Sequence, residues 1–175
     1  AVSYAYHDIL VFTDADSMLN NDALIHLMQP FTDPEVGGAA GDYHYQKIRG
    51  KGEGERAYWS FDRLLKQMQS QSGSISSATG QIYAIRRELF QIVPPNVTDD
   101  AYITRSVIAA HKRLVFVPEA LAAGPIADAA GEYRRKVRIT TRGLNCIWQQ
   151  RSLLNPRQYG SMAWQLLSHK VLRRL

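Results

Sequence analysis

The sequence predicts an α/β protein built on one layered sheet. Short apolar runs of strand length alternate along the chain with longer segments of helical period, and that alternation is the pattern of a sheet covered by helices. At 175 residues the chain suits one domain with a proper core. Its hydrophobic content, 45%, is ordinary for a globular protein.

The first element is the most informative. Ile9-Leu10-Val11-Phe12-Thr13 has strand length and strand-favouring residues, and it ends in Asp14-Ala15-Asp16. It reads as a buried strand with neighbours on both sides, so earlier strands of the sheet are expected to precede this segment. The two carboxylates fall at the strand's carboxyl end, where open α/β sheets bind ligands. Neighbouring like charges there need a positive partner, and a hard divalent cation with oxygen ligands, bridging to a substrate phosphate, meets that need. The same pair also fits a solvated turn in which Asp14 or Asp16 caps the next helix.

Asn20 or Asn21 is a suitable cap for a helix through Ala23, Leu24, Leu27 and Met28 that stops before Pro30. Val36 to Gly41 reads as a short buried strand whose small residues admit another backbone, and Tyr43 to Ile48 continue it or pair with it. After a charged Gly-rich loop, a helix runs from about Glu55 to Gln71 with Tyr58, Phe61, Leu64, Leu65 and Met68 on one face. Ser70 to Ser77 reads as a mobile connection. Ala78 to Ile85 is a strand, and Arg86 to Phe90 begin a short helix broken by Pro94-Pro95. Thr98 caps a helix from Asp99 to His111 that turns Ile103, Val107 and Ile108 inward. Leu114 to Val117 is a strand ended by Pro118. From Glu132 onward the period is helical, with Val137, Leu144, Ile147 and Trp148 on an apolar side, and Pro156 separates a last helix carrying Met162, Trp164, Leu166, Leu167, Val171 and Leu172.

Charge is divided along the chain. No Lys or Arg precedes Lys47, whereas Asp8, Asp14, Asp16, Asp22, Asp33, Glu35 and Asp42 do. No acid follows Glu132, whereas ten Lys and Arg residues from Arg134 to Arg174 do. The acidic front suits a cation and the basic tail suits phosphate, nucleic acid or an anionic membrane surface. The tail's amphipathic helical period favours a bilayer surface over nucleic acid. Cys146 is the only cysteine, which excludes a disulfide within the chain. The five histidines have no ligand-like spacing with cysteine, which argues against zinc.

Four groups stand in one order: Asp14-x-Asp16; Thr79-Gly80-Gln81; Thr98-Asp99-Asp100; and Tyr133 to Arg138 with Arg142-Gly143-Leu144. Together they resemble the processive, membrane-associated glycosyltransferases of family 2, the group of the hyaluronan, chitin and cellulose synthases. The resemblance covers nearly the whole chain, with Ser77 to Arg87 as an acceptor-side segment and Ser168 to Arg174 as a membrane-interface stretch. It implies the C-terminal portion of a GT-A fold followed by amphipathic interfacial helices. Residues 1–130 would form the metal and acceptor half of the catalytic domain, without the N-terminal half that grips the nucleotide. Residues 131–175 would be basic helices leading towards a membrane span.

The resemblance further implies an inverting transfer of sugar from a nucleotide-sugar, expected to be UDP-linked, to a polysaccharide or glycolipid. Asp14 and Asp16 would hold Mg²⁺ or Mn²⁺, Asp100 would be the catalytic base with Asp99 tuning it, and Thr79, Gly80 and Gln81 would line the acceptor pocket. Arg135 and Arg138, three apart on one helix face, would clamp the donor diphosphate. The family's frequent Gln-x-x-Arg-Trp is absent here, which weakens the expectation of processivity. The expected setting is the cytoplasmic face of a membrane, with no nucleic-acid partner, and the segment alone is expected to be inactive. Two other readings fit the sequence less well: a haloacid dehalogenase-type phosphohydrolase, which usually carries Thr or Val where Met18 stands, and a non-catalytic membrane-surface module, which leaves Asp14, Asp16 and Asp100 without a task.

Overall fold

A computed structural model describes residues 2–45, 53–124 and 129–172. A five-stranded sheet carries the architecture. Its strands are β1 (Ile9–Thr13), β2 (Met18–Leu19), β3 (Val36–Tyr45), β4 (Ile82–Arg86) and β5 (Arg113–Gly124), in the spatial order β1-β4-β3-β5-β2. β3 and β5 run parallel, and the other neighbouring pairs are antiparallel. The helices are α1 (Ala23–Met28), α2 (Glu53–Gln71), α3 (Asp99–Ala109), α4 (Ala129–Gln149), α5 (Pro156–Tyr159) and α6 (Ser161–Leu166), the last continued by a π-helical turn at Leu167–Val171.

Side-chain alternation divides the core between the two faces of the sheet. Ile82 and Ala84 of β4, with Val115 and Val117 of β5, pack against Ala23 and Leu27 of α1. Tyr83 and Ile85, with Leu114 and Phe116, face the other way, onto Ile103 and Val107 of α3 and onto Leu153, Met162 and Leu166. The helices after residue 131 thus pack on the same core that holds the sheet. The result is a layered α/β sheet, as the alternation predicts.

Several elements depart from expectation for identifiable reasons. β1 is an edge strand among the described residues, with Leu10 buried and Val11 42% exposed, and not a strand enclosed on both sides. α1 starts after Asp22, with no side-chain cap, because a backbone turn from the Ala23 N–H to the Asn20 carbonyl replaces it. Thr98 likewise stands at the N-cap of α3 without a capping hydrogen bond. The segment 74–77 is not loose. Ser70 Oγ accepts from Phe116 N, Ser74 Oγ accepts from Leu114 N, and Ile75 is fully buried.

β4 begins at Ile82, so Thr79, Gly80 and Gln81 form a turn that leads into the strand. β5 runs through Pro118 to Gly124, and its pairing with β3 shifts register there, which leaves the proline outside the ladder. The close approach expected of the small residues in β3 is found at Gly41, where a β-carbon would collide with the Ala120 carbonyl oxygen. The apolar face of α2 points outward at Phe61, Leu64 and Met68, each more than half exposed. No helix of the described residues is long and apolar enough to cross a membrane.

Candidate functional site

The site forms where β1 ends, β4 begins and α3 begins. In-register pairing of Thr13 with Ile82 brings Asp14 beside the 79–81 turn. The Thr13 hydroxyl reinforces this by donating to the Gln81 carbonyl at 2.9 Å. On the other side of the turn, Thr104 of α3 is fully buried; its Oγ1 accepts from the Ala78 N–H at 3.2 Å and donates to the Asp100 carbonyl at 2.7 Å. One threonine therefore ties the turn to the first turn of the helix that carries Asp100.

Gly80 lies at the centre. A β-carbon there would stand 3.7 Å from both carboxylate oxygens of Asp14 and 3.8 Å from the Asp100 β-carbon. The fold thus brings together Asp14, Gly80 and Asp100 from three distant parts of the chain. Asp16 sits exposed in the turn after Asp14, closed by the Ser17 N–H donating to the Asp14 carbonyl at 3.1 Å. Neither aspartate caps the following helix, which begins after Asp22.

Burial raises the Asp100 carboxyl above the ordinary carboxylate range, and Asp99 adds to this. The Ala101 N–H, donating to Asp100 Oδ1 at 2.7 Å, opposes it, as do the charges of Lys170 and Arg105. Asp99 itself is exposed. A partly desolvated carboxylate is a stronger proton acceptor than a surface one.

Thr79 Oγ1, Gln81 Oε1 and Ser17 Oγ are buried without a hydrogen-bond partner among the described residues. Unsatisfied buried oxygens are uncommon in folded proteins, and these three belong to the turn after Asp14 and to the 79–81 turn, the two turns that meet at Gly80. Asp14 and Asp16 offer hard oxygen donors suited to Mg²⁺ or Mn²⁺. No group of three or more potential metal-binding residues occurs among the described ones. A cation held here would complete its shell from ligand oxygens and water.

Not every expected residue joins the site. Arg138 is exposed on α4, and no described contact links it to Asp14 or Asp100. The side chain of Arg135 lies outside the described residues.

Sequence reasoning also missed residues. Lys170 acts on Asp100 from the π-helical turn, a local geometry that side-chain periodicity does not announce. Arg105 is 1% exposed in the middle of α3 and donates to Cys146 Sγ at 3.3 Å. Tyr83 is 2% exposed, and its phenol is pushed above its ordinary range by burial and then by Asp99, Asp100 and Asp14. Tyr83 pairs with Phe12, two residues before Asp14, a relation that the β1–β4 register creates and the sequence alone does not show.

Comparison with known proteins shows what the chain is similar to. An N-acetylglucosaminyltransferase of Rhizobium leguminosarum bv. viciae is 23% identical over 154 residues, which cover 78% of this chain and 36% of the relative. Its counterpart from Neorhizobium galegae is 24% identical over 152 residues, 78% of this chain and 35% of the relative. The chain thus spans about a third of the length of these curated relatives.

Among solved structures, a mannosyltransferase from Pyrobaculum calidifontis in complex with GDP-Man and Mn²⁺ superposes with a TM-score of 0.67 at 21% identity, over 83% of this chain and 41% of that one. Glucosyl-3-phosphoglycerate synthase from Mycobacterium tuberculosis, in complex with Mn²⁺, UDP-glucose and phosphoglyceric acid, gives 0.54 at 18% identity over 83% and 52%. Both likenesses show the fold, which is GT-A. The sequence model of glycosyl transferase family 2 matches residues 1–93, the stretch that contains Asp14, Asp16 and the 79–81 turn. With that match over more than half of its length, the chain belongs to glycosyl transferase family 2.

Proposed function

We propose that this chain is the metal and acceptor half of an inverting glycosyltransferase that uses a nucleotide-sugar to extend a polysaccharide or glycolipid. The observation that carries the reading is the meeting of Asp14 and Asp100 across Gly80. Asp14 and Asp16 would hold Mg²⁺ or Mn²⁺, and a bound ion would neutralise the donor diphosphate and stabilise it as a leaving group. Asp100 takes the proton of the acceptor hydroxyl as that oxygen bonds to the anomeric carbon. The carbon–oxygen bond to the diphosphate breaks with both electrons going to the leaving oxygen, so the configuration inverts. Asp99 keeps Asp100 basic, and Thr79 and Gln81 bind acceptor hydroxyls with the oxygens they leave unpaired. Gly80 leaves room for the sugar.

N-acetylglucosamine from a UDP donor is the first sugar to test, because the similar rhizobial proteins are N-acetylglucosaminyltransferases. We further read residues 1–130 as catalytic and 131–175 as a basic helical region at the cytoplasmic face of a membrane, with the nucleotide-gripping half in preceding sequence. Support comes from the chain's partial coverage of its relatives and from Trp148, Trp164 and Leu172, each at least 60% exposed in a region without acids. On this reading the segment alone is inactive.

The test uses the full-length protein in membranes. Nucleotide release from a panel of UDP-sugars, with Mn²⁺ or Mg²⁺, is compared between wild type and Asp100→Asn. Metal-dependent turnover of one donor that the variant loses supports the reading. Turnover unchanged by the substitution removes Asp100 from the mechanism.

A further inference from the structure

A polar niche opens where α2, the segment before the 79–81 turn and the π-helical turn meet. Asp62, Lys66 and Gln69 line it from one face of α2, Ser76 and Ser77 from the segment, and His169 and Lys170 from the π-helical turn. The stretch expected at a membrane interface thus turns two of its basic residues to this niche. The niche adjoins the end of α3 that carries Asp100. Ser77 is followed by Ala78, whose N–H donates to Thr104 Oγ1, and that hydroxyl donates to the Asp100 carbonyl. Ser77 also leads directly towards the 79–81 turn. We propose that the niche is an oxyanion subsite on the acceptor side, which takes a phosphate or carboxylate group carried by the acceptor. The proposal rests on the glycosyltransferase reading and names a substrate class for it.

Complementarity decides which ligand the niche takes. Asp62 is the carboxylate of the described lining, and Lys66 Nζ, one helical turn on, already holds it at 3.0 Å. Gln69 Oε1 accepts from the Ser76 N–H at 3.4 Å, so its amide brings N–H donors to the wall. The hydroxyls of Ser76 and Ser77 and the ammonium of Lys170 add donors, and the His169 ring can donate as well. An oxyanion offers only lone pairs and brings the negative charge that such a donor-rich wall favours. A neutral sugar carries a proton on every hydroxyl and would find few acceptors here. Ser76, Ser77 and Gln69 are 4%, 6% and 6% exposed, so packing fixes them before a ligand arrives. The niche has room for little more than a water molecule. A phosphate or carboxylate oxygen can enter it, and a sugar ring cannot. Lys170 also acts on Asp100, as expected of a subsite beside the base that deprotonates the same acceptor.

The probe is inorganic phosphate, titrated calorimetrically into the purified full-length protein without divalent metal. Binding is expected, weakened roughly 10-fold to 100-fold in Lys170→Met, the usual effect of one hydrogen bond between charged groups, and weakened as well in Ser77→Ala. Both variants should keep the wild-type melting temperature. No binding, or binding that neither variant weakens, would overturn the proposal. A second measurement identifies the source of the oxyanion. In membranes, with UDP-N-acetylglucosamine and Mn²⁺, a polyprenyl phosphate or an oligosaccharide ending in a uronate should show a lower acceptor KM than the neutral oligosaccharide. Ser77→Ala should raise the KM of the anionic acceptor alone and leave the donor KM unmoved. Equal KM values for neutral and anionic acceptors would restrict the niche to free phosphate and overturn its role in acceptor binding. Asp100→Asn, assayed alongside, separates the two claims. If it retains turnover, the mechanism fails, while phosphate binding still decides the niche.

Discussion

Asp14 and Asp100, at the end of one strand and the start of a distant helix, lie within 3.8 Å of the same point in space, the position of a β-carbon on Gly80. Contacts of that length are ordinary for a methyl group, so Gly80→Ala should fold as well as the wild type. On the proposed mechanism, the methyl would nevertheless stand between Asp14 and Asp100, where the substrates are to meet. Expected is a stability change within about 0.5 kcal/mol and a clear loss of donor turnover. Gly80→Val, which fills the gap, should lose more. Thermal melting and nucleotide release measured on the same samples check both.

Asp100→Asn should separate stability from activity. The folded protein holds the Asp100 carboxyl above its ordinary range, so near neutral pH its ionised form opposes folding. Between the ordinary carboxylate range and its own raised value, the folded state binds the extra proton, and stability falls as pH rises. Asparagine removes that cost and keeps the acceptor for the Ala101 N–H. The variant should melt no lower than wild type at neutral pH and show a flatter dependence of stability on pH, measured without divalent metal. Turnover should fall by about 10² to 10⁴, the contribution of a general base.

Lys170 lowers the Asp100 carboxyl towards its ordinary value, in opposition to burial. Lys170→Met should therefore raise it further. A base must be ionised to act, so the acid limb of the kcat/KM profile should shift to higher pH in this variant. A pH–rate profile identical to wild type would show that the lysine does not act on the base.

Thr104→Val tests the tether between the turn and α3. Valine matches the shape but leaves the Ala78 N–H without its 3.2 Å partner. The expected loss is roughly 1–3 kcal/mol for a buried donor left unpaired, read by denaturant unfolding. Thr104→Ser, which keeps the hydroxyl, should recover most of it.

What was legible in the sequence was local. Asp14-x-Asp16 followed an apolar run and does lie at a strand end. Ile103, Val107 and Ile108 followed the helical period and are buried. The placement of Thr79, Gly80 and Gln81 opposite Asp14 was not legible, because it depends on β1 pairing with β4 across the chain. Serine-rich composition suggested mobility at 70–77, but the hydroxyls of Ser70 and Ser74 instead serve backbone N–H groups of β5. The apolar residues of α2 read as a packing stripe, yet Phe61, Leu64 and Met68 face outward. Periodicity tells which residues share a face and not what covers it.

In the proposed mechanism Asp14 and Asp100 divide the labour, one holding the metal and the other taking the proton. The most direct measurement compares Mn²⁺ binding and UDP-sugar turnover for Asp14→Ala and Asp100→Asn in the full-length protein in membranes. Asp14→Ala should lose both Mn²⁺ binding and turnover, whereas Asp100→Asn should bind Mn²⁺ as wild type and lose turnover alone. Wild-type Mn²⁺ binding in the first variant, or wild-type turnover in the second, would contradict it.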